Sequence, residues 1–232
     1  MTTKNLLIEL GTEELPPKSL RKLAQALHDD FIAQLKNEGL NFSSSKWFAT
    51  PRRLALYVSD LDTKQQDRDI EIKGPAIKVA FDANGNPSKA ALGWANANGI
   101  TIDQASRLKT NKGEWLFIKT SKQGAQTSSL IPDLFVHALK SLPIPRLMHW
   151  GNKHEEFVRP VHTLCALFGD ELIDCTILGI KSSKTINGHR FLGQKQVTLN
   201  SAESYVDQLR NEGCVIADYE ERKASIIEQV TK

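Results

Sequence analysis

Arginine, histidine and tryptophan crowd into residues 143–190, a stretch that is punctuated by proline and glycine. It contains four of the six histidines, which are His149, His154, His162 and His189. Arginine and histidine donate hydrogen bonds to phosphate groups, and tryptophan stacks on nucleic-acid bases. Proline and glycine shape the backbone that presents these side chains. The stretch therefore predicts a binding surface first and a strained catalytic site second.

The best-placed cations are arginines beside a proline, a glycine or an aromatic residue. Arg146, Arg159 and Arg190 each have such a neighbour. Arg52 and Arg53 follow a Thr-Pro pair, and they have two interpretations. At a strand entrance, one guanidinium covers apolar neighbours while the other is solvated. As a functional pair, the two grip a phosphate or a carboxylate. The sequence does not choose between these interpretations.

Catalytic signatures are missing from this sequence. It has no GxxxxGK[ST] phosphate loop and no GxGxxG, GxSxG or HExxH motif. Cys165 follows His162 closely but lies in an apolar run, so we expect a core cysteine. Possible zinc ligands lie near one another without a recognised spacing, and we expect a solvated loop over 152–156 instead. These ligands are His149, His154, Glu155, Glu156 and His162. We predict no catalytic residue and no metal site.

Composition indicates a soluble globular protein of a reducing compartment. The chain has 232 residues, of which 40% are hydrophobic and 25% charged, and it has no apolar run long enough for a membrane span. Its three cysteines are widely spaced and include no CxxC pair, so we expect a cytoplasmic location. A net charge of +3 is too small to indicate nucleic-acid binding by itself, so any RNA contact must use a local patch.

Apolar periodicity predicts the elements that position these residues. A strand over 5–10 ends at Gly11, and a helix with apolar residues at three- and four-residue steps ends at Gly39. Alternation predicts a half-buried strand over 54–59. We also expect turns at Asn84-Gly85 and Lys112-Gly113 and a hairpin at Gly169-Asp170. Ser88 and Asp218 are the expected caps of the helices that follow them. The other expected elements are helices over 89–98, 130–142, 202–212 and 218–232 and strands over 115–120, 164–168, 172–178 and 215–217.

Helices and strands follow one another without a regular βαβ rhythm. This order predicts an α+β fold with mixed or antiparallel sheets and packed helices. The charged segment 62–78 is either a domain boundary or an exposed hairpin. We expect an N-terminal α+β segment over 1–62 and its continuation over 63–232, or one composite domain. The last helix reaches Lys232 without a terminating glycine or proline, as at a boundary inside a longer protein.

Several segments carry a resemblance to a known family. They are LLIELGTEELPP at 6–17, TPRRLA at 50–55, AALGWA at 90–95, PIPR at 143–146, FVRPVH at 157–162 and GHRF at 188–191. In this order they resemble the β subunit of bacterial glycyl-tRNA synthetases. The sequence departs from the family pattern at His149, Thr163, Lys184 and Leu192, where that family typically carries Arg, Trp, Arg and His.

The resemblance implies a subunit of an α2β2 ligase that joins glycine to its tRNA. The α subunit of that family carries the class II catalytic domain, with ATP and magnesium, and the β subunit supplies tRNA contacts. This chain resembles about the N-terminal third of β, and part of it is similar to the B3/B4 module of the phenylalanyl-tRNA synthetase β subunit. The implied partners are the α subunit and glycine tRNA, without a membrane and without a cofactor held by this chain.

The resemblance implies tRNA binding by the cations and the tryptophan described above. The phosphate-contacting candidates are Arg52, Arg53, Arg146, Arg159 and Arg190. His149, His162 and His189 would add hydrogen bonds, and Trp150 would stack on a base if it is exposed. Two alternatives stay open. The chain could be a scaffold that docks the α subunit or other β domains without RNA contact, or it could keep a vestigial hydrolytic pocket around His162 and His189.

Overall fold

The computed structural model of the chain describes residues 2–82, 85–110, 113–151 and 154–231. The expected turns at Asn84-Gly85 and Lys112-Gly113 and the expected loop over 152–156 each include positions outside these ranges. The strands are β1 Thr3–Thr12, β2 Ser44–Thr50, β3 Arg53–Asp62, β4 Arg68–Ala76, β5 Ser106–Thr110, β6 Gly113–Lys122, β7 Met148–His149, β8 Glu156–Phe157, β9 Val161–Phe168, β10 Glu171–Leu172, β11 Thr176–Ile177, β12 Ile180–Lys181, β13 Thr185–Asn187 and β14 Gln196–Thr198. The α-helices are α1 Pro17–Asn37, α2 Ile77–Ala80, α3 Lys89–Ala97, α4 Thr127–Lys140, α5 Tyr205–Asn211 and α6 Tyr219–Thr231. A 3₁₀ turn covers Ile102–Gln104.

The chain divides into two compact units. The first contains residues 1–65 and 125–232, and the second contains residues 66–124. The chain leaves the first unit after Gln65 and returns to it at Ala125. The ends of the first unit's two segments are adjacent, because the Gln65 amide donates to the Ala125 carbonyl at 2.9 Å.

A five-stranded antiparallel sheet forms the centre of the first unit, in the order β10-β9-β1-β3-β2. Strand β1 pairs with both β3 and β9, so its backbone is satisfied along both edges. The expected hairpin at Gly169-Asp170 is confirmed, since Phe168 pairs with Glu171 across it. Antiparallel sheets packed with helices confirm the expected α+β class.

Both faces of the five-stranded sheet are covered, which differs from the half-buried strand expected over 54–59. Alternate residues of a strand point to opposite faces. Leu54 and Leu56 join a core that α1 and α4 complete, whereas Ala55 joins a second core with α5 and the β13–β14 hairpin. The expected periodicity of α1 is confirmed, and Gly39 ends it with a positive φ of 70°. The β13–β14 hairpin lies far from residues 54–59 along the chain. The local pattern of those residues therefore gave no sign that the second face of the strand would also be covered.

The second unit is built on the antiparallel sheet β4-β6-β5. Its small core contains Ala80, Ala91 and Leu116. The expected cap of α3 is confirmed, because the Ser88 hydroxyl accepts a hydrogen bond from the Ala91 amide at 3.3 Å.

Three local expectations near the C-terminal side are corrected. Residues 215–217 form no strand, and the strand expected over 172–178 is divided between β10 and β11. Helix α5 begins at Tyr205 rather than near residue 202, because Ser204 and the turn before it form hydrogen bonds of their own. Within the part of the chain that the structure describes, no helix is both long enough and apolar enough to cross a membrane.

Candidate functional site

The segment after β1 brings three of the recognised sequence segments together. The Thr12 amide donates to the Arg52 carbonyl at 2.8 Å, and the Leu15 amide donates to the Pro51 carbonyl at 2.6 Å. On the other side, the Glu13 amide donates to the Pro160 carbonyl at 2.9 Å. These backbone bonds hold the residues of 12–15 between the β2–β3 turn and the start of β9.

Glu13 then joins two of the predicted site residues. Its Oε1 accepts from Arg52 Nη2 at 3.1 Å and lies 2.9 Å from His162 Nε2. Arg159 approaches the same segment, because its Nε donates to the Glu14 carbonyl at 3.0 Å. Arg52 and His162 stay one-third or more exposed, so both remain accessible from solvent.

Arg53 has a different environment, since its side chain is only 4% exposed. Its Nη1 donates to Glu9 Oε2 at 3.0 Å, and its Nη2 donates to the Asn187 carbonyl at 2.6 Å. The hydroxyl of buried Tyr205 donates to the same Glu9 oxygen at 2.6 Å. Two of the three guanidinium nitrogens are therefore bonded within the protein, whereas the buried Nε has no hydrogen-bond partner among the described residues. Because its side chain is buried, Arg53 is not among the RNA contacts that we propose.

Burial and charge shift the pKa values inside this cluster. Burial lowers the pKa of Arg53, but the charge of Glu9 and the interactions with Tyr205 together outweigh burial and raise that pKa above its ordinary value. Burial, followed by the same carboxylate, raises the pKa of Tyr205 well above its usual range. Both groups therefore keep their protons at neutral pH, and the Glu9 carboxylate accepts from both.

A tightly held loop over 188–195 presents the predicted residues His189 and Arg190. The Gly188 amide donates to the Lys195 carbonyl at 2.9 Å, and the His189 amide donates to the Gly213 carbonyl at 2.7 Å. A Cβ at Gly188 would come within 2.1 Å of the Gln194 carbonyl oxygen, so this close approach requires glycine. We call residues 188–195 the glycine loop.

The ring of His189 is part of that loop's structure. Its Nδ1 accepts hydrogen bonds from the Phe191 and Leu192 amides at 3.2 and 3.1 Å. Nδ1 is therefore unprotonated and Nε2 carries the hydrogen. This arrangement fixes the turn that carries Phe191, and it leaves one donor nitrogen on His189 for other partners.

Arg52, Arg53, His189 and Arg190 surround one pocket of about 580 Å³. We call it the arginine pocket. Its lining residues are Glu9, Gly11, Thr12, Arg52, Arg53, Asn187, Gly188, His189, Arg190, Phe191 and Lys195. An adjoining pocket of about 520 Å³ shares Arg52, Arg53 and residues 188–191 and adds Glu14, Arg222 and Ile226. The structure thus gathers four of the predicted residues, which lie far apart in the sequence.

The arginine pocket has an excess of positive charge. Glu9 balances Arg53, and Glu13 lies between Arg52 and His162. Arg190 and Lys195 are exposed, and no carboxylate among the described residues pairs with either. The guanidinium of Arg190 lies 5.4 Å from the centre of the Phe191 ring. These features suit an anion that carries an aromatic group.

The other predicted residues lie elsewhere in the first unit. Arg146 is exposed in the segment before β7 and lines neither of these pockets. His149 lies in β7, and its Nε2 contacts Glu156 Oε1 at 2.6 Å. Trp150 is half-buried against the first core, which limits its ring for stacking. The predicted set therefore divides into three groups: Arg52, Arg53, His189 and Arg190 at the pocket, Arg159 and His162 beside Glu13 and Glu14, and Arg146, His149 and Trp150 in or near β7.

Sequence reasoning missed Glu9, Glu13, Lys195 and Tyr205. A detectable signal existed for Glu9, since a carboxylate inside an apolar strand must find a buried partner. Glu13, Lys195 and Tyr205 gave no signal, because their importance depends on contacts made across the fold. Their partners lie up to 196 residues away along the chain.

The structure describes the surroundings of Cys165 and of two of the possible zinc ligands. Cys165 is fully buried, as expected for a core residue, and burial followed by the charge of Glu9 raises the pKa of its thiol. Among the described residues, no group of three His, Cys, Asp or Glu side chains could hold a metal ion. His149 and His162, two of the possible ligands, each contact a different glutamate.

Comparison with known proteins identifies the class of protein to which this chain belongs. Residues 6–232 match the family model described as the glycyl-tRNA synthetase beta subunit. The chain is 54% identical over 226 residues to a glycine–tRNA ligase beta subunit of Salmonella paratyphi A, which covers 97% of this chain and 33% of that protein. The corresponding protein of Aliivibrio salmonicida is 55% identical over 224 residues, and that of Escherichia coli strain SMS-3-5 is 54% identical over 224 residues. Each of these matches covers 97% of this chain.

The chain belongs to the glycyl-tRNA synthetase beta subunit family. It spans about a third of the length of the curated relatives it matches.

Proposed function

We propose that this chain contributes tRNA binding and subunit assembly to a cytoplasmic α2β2 glycine–tRNA ligase. In this proposal the partner α subunit carries ATP-dependent aminoacylation, with its magnesium, and this chain holds neither cofactor. Arg52, Arg159 and Arg190 contact tRNA phosphates, and His162 and His189 add hydrogen bonds. The family membership supports a role in joining glycine to tRNA.

The observation that carries the RNA-binding proposal is the convergence of cations on one surface. Arg52, Arg190 and Lys195 come from two distant segments and line the same pocket, where His189 adds a hydrogen-bond donor. Arg190 and Lys195 are exposed and have no carboxylate partner among the described residues, so their charge stays available for phosphate, whereas Arg52 contacts Glu13. A chain with a net charge of only +3 thereby concentrates positive potential where a polyanion can bind.

Titration of the full chain with glycine tRNA at two salt concentrations tests this proposal. Affinity should fall steeply between about 50 and about 200 mM salt, because bound phosphates release counterions. Replacing Arg190 with Gln should weaken binding and reduce the slope of log Kd against log salt by about one. Absent or salt-independent binding would contradict the RNA role.

Arg107 provides a matched control for Arg190. It is also an exposed arginine beside a phenylalanine ring, with its guanidinium 5.9 Å from the centre of Phe81, but it belongs to the second unit. Arg107→Gln removes the same charge from the same kind of contact. We expect Arg107→Gln to keep the affinity and the salt slope of the original chain much more closely than Arg190→Gln does.

A scaffold role is the second candidate, and an exposed apolar face favours it. Ile226, Ile227 and Val230 of α6 are 55%, 56% and 82% exposed. Apolar side chains grouped on one surface are typical of a docking site. In this role the chain docks the α subunit or other β domains and makes no RNA contact.

Two sets of substitutions separate these candidates. Arg159→Gln and Arg190→Gln should lower tRNA affinity while the α2β2 complex still assembles in size-exclusion chromatography. Ile227→Asp with Val230→Asp should impair assembly and leave RNA affinity unchanged if α6 docks a protein. An unchanged tRNA affinity in both arginine variants, with assembly lost in the α6 variant, would favour the scaffold.

A further inference from the structure

We propose that the arginine pocket binds one unpaired nucleotide of RNA, with the base on Phe191 and the phosphate at Arg190 and Lys195. This inference rests on the proposed RNA-binding function and names the subsite that it uses. The occupant is the nucleoside monophosphate unit of a single strand.

The pocket has the volume and the charge for such a unit. About 580 Å³ lies within the range of about 300 to 1,000 Å³ that small-ligand pockets occupy. Arg190 lies near the start of the glycine loop and Lys195 at its end, and both line the pocket. The contact found for Arg52 uses one nitrogen of its guanidinium, so further donors remain for a phosphate oxygen.

Phe191 provides the surface for the base. Its side chain is 82% exposed, which is unusual for a large apolar residue on a loop with a well-bonded backbone. The Phe191 amide bonds to His189 Nδ1, and the Gln194 amide bonds to the Glu212 carbonyl at 2.8 Å. Because the backbone is already fixed, binding orders little more than the ring itself.

The adjacency of ring and cation fits a nucleotide better than a bare anion. The Arg190 guanidinium lies 5.4 Å from the Phe191 ring centre, so a stacked base would bring its own phosphate within reach of the cation. Base stacking and phosphate contacts are the two interactions by which proteins hold single strands. A carboxylate or a free phosphate would contact only the cation and would make no stacking contact with the exposed Phe191 ring.

An unpaired strand fits this surface better than a duplex does. In a duplex both faces of a base are covered by its neighbours, so a protein can stack on a base only where the strand is open. Residues 188–191 line both the arginine pocket and the adjoining pocket. A strand that leaves the first pocket therefore meets Arg222 and Ile226 in the second.

Binding measurements on the full chain test the proposal with three probes. They are a short single-stranded oligoribonucleotide, an RNA duplex of the same length, and AMP as a free nucleotide. Each is titrated against the original chain, Phe191→Leu, Phe191→Trp, Lys195→Gln and the control Arg107→Gln. Phe191 and Lys195 are exposed, so their substitution should leave the thermal midpoint unchanged.

Loss of the ring should weaken binding of the single strand about tenfold, because one base–aromatic stack disappears. Phe191→Trp should restore that affinity, and Lys195→Gln should lower it and flatten its salt slope. The duplex should bind weakly and respond little to Phe191→Leu. AMP should bind more weakly than the oligoribonucleotide, since it lacks the neighbouring phosphates.

The outcomes distinguish this subsite from the broader function. Unchanged single-strand affinity in Phe191→Leu, while glycine tRNA still binds with steep salt dependence, overturns the subsite and leaves the proposed function standing. Tight AMP binding without tRNA binding overturns both and indicates a free-nucleotide pocket. A duplex that binds as tightly as the single strand, with equal loss in Phe191→Leu, also contradicts the subsite.

Discussion

Individual side chains near the pocket divide into those that hold the fold and those that face solvent. Arg53 and Glu9 are almost completely buried, and the Tyr205 hydroxyl donates a further hydrogen bond to Glu9, whereas Arg53 Nε has no partner among the described residues. A buried ion pair costs desolvation energy and contributes only when its remaining groups are bonded. Arg52, one residue away, instead keeps a third of its side chain exposed. The two neighbouring arginines therefore differ in exposure, because the strand turns one of them inward.

Removing only Arg53 from the buried cluster of Glu9, Arg53 and Tyr205 should destabilise the protein more than replacing all three residues with apolar ones. Arg53→Met leaves the Glu9 carboxylate buried without its cation, and we expect a loss of about 3–5 kcal/mol in the free energy of unfolding. Tyr205→Phe removes one hydrogen bond to a charged group and should cost about 1.5–3 kcal/mol. Urea denaturation followed by fluorescence measures both values.

A triple variant provides the control for that experiment. Glu9→Leu, Arg53→Met and Tyr205→Phe together remove every charged or hydroxyl member of the cluster. Since apolar residues can replace a buried ion pair at little cost, the triple variant should be more stable than Arg53→Met alone. A triple variant whose loss equals the sum of the single losses would show that the three residues act independently.

At the scale of elements, the stability of helix α6 depends on the hydrogen bonds that cap its first turn. None of its residues is buried, so packing contributes little to its stability. The expected cap is confirmed: Asp218 Oδ1 accepts from the Glu220 and Glu221 amides at 2.9 and 3.0 Å. Lys46 Nζ contacts the other carboxylate oxygen at 2.5 Å. Partial burial tends to raise the pKa of Asp218, but the Glu221 amide and Lys46 outweigh it and lower that pKa.

Substitutions at Asp218 should separate capping from charge. Asp218→Ala should destabilise α6 by about 0.5–2 kcal/mol, whereas Asp218→Asn keeps an N-cap acceptor and should cost less. The measurement is hydrogen exchange of the α6 amides. Equal protection in the alanine variant and the original chain would contradict the capping role.

The lowered pKa also sets a direction for pH dependence. A carboxyl group whose folded pKa is depressed stabilises above its unfolded pKa and loses that contribution as pH falls through the folded value. Protection of α6 in the original chain should therefore decrease on acidification. It should decrease less in Asp218→Asn, which has no charge to lose.

At the scale of the whole molecule, the two chain segments of the first unit share their cores. The buried residues of its two cores come from 6–61 and 131–217, and the Gln65–Ala125 hydrogen bond joins the segment ends. Every predicted site residue belongs to this unit. The pocket should therefore depend on the first unit alone.

Excision of the second unit tests this independence. Replacing residues 66–124 with a short Asn-Gly turn should leave the first unit folded, because its ends already lie within hydrogen-bond distance. We expect a cooperative denaturation transition and a tRNA affinity within about threefold of the full chain. Circular dichroism and the tRNA titration check the two expectations. An unfolded variant would show that the first unit needs the second.

Local patterns predicted many of these elements because their determinants lie within a few residues. The spacing of Leu20 and Leu23, the stop at Gly39 and the caps at Ser88 and Asp218 all act over one or two helical turns. The hairpin at Gly169-Asp170 is equally local. The family resemblance also depended on local segments, and comparison confirms it.

The sequence by itself determined the α+β class, most helices, the family and a set of candidate cations. Only the tertiary structure decided which of those cations share a surface. Arg53 meets the carbonyl of Asn187 across 134 residues of chain, and the sheet order that joins them depends on non-local strand pairing and burial on both faces. The same pairing buries Arg53 and leaves Arg190 exposed, because only the complete fold determines which side of the backbone meets solvent.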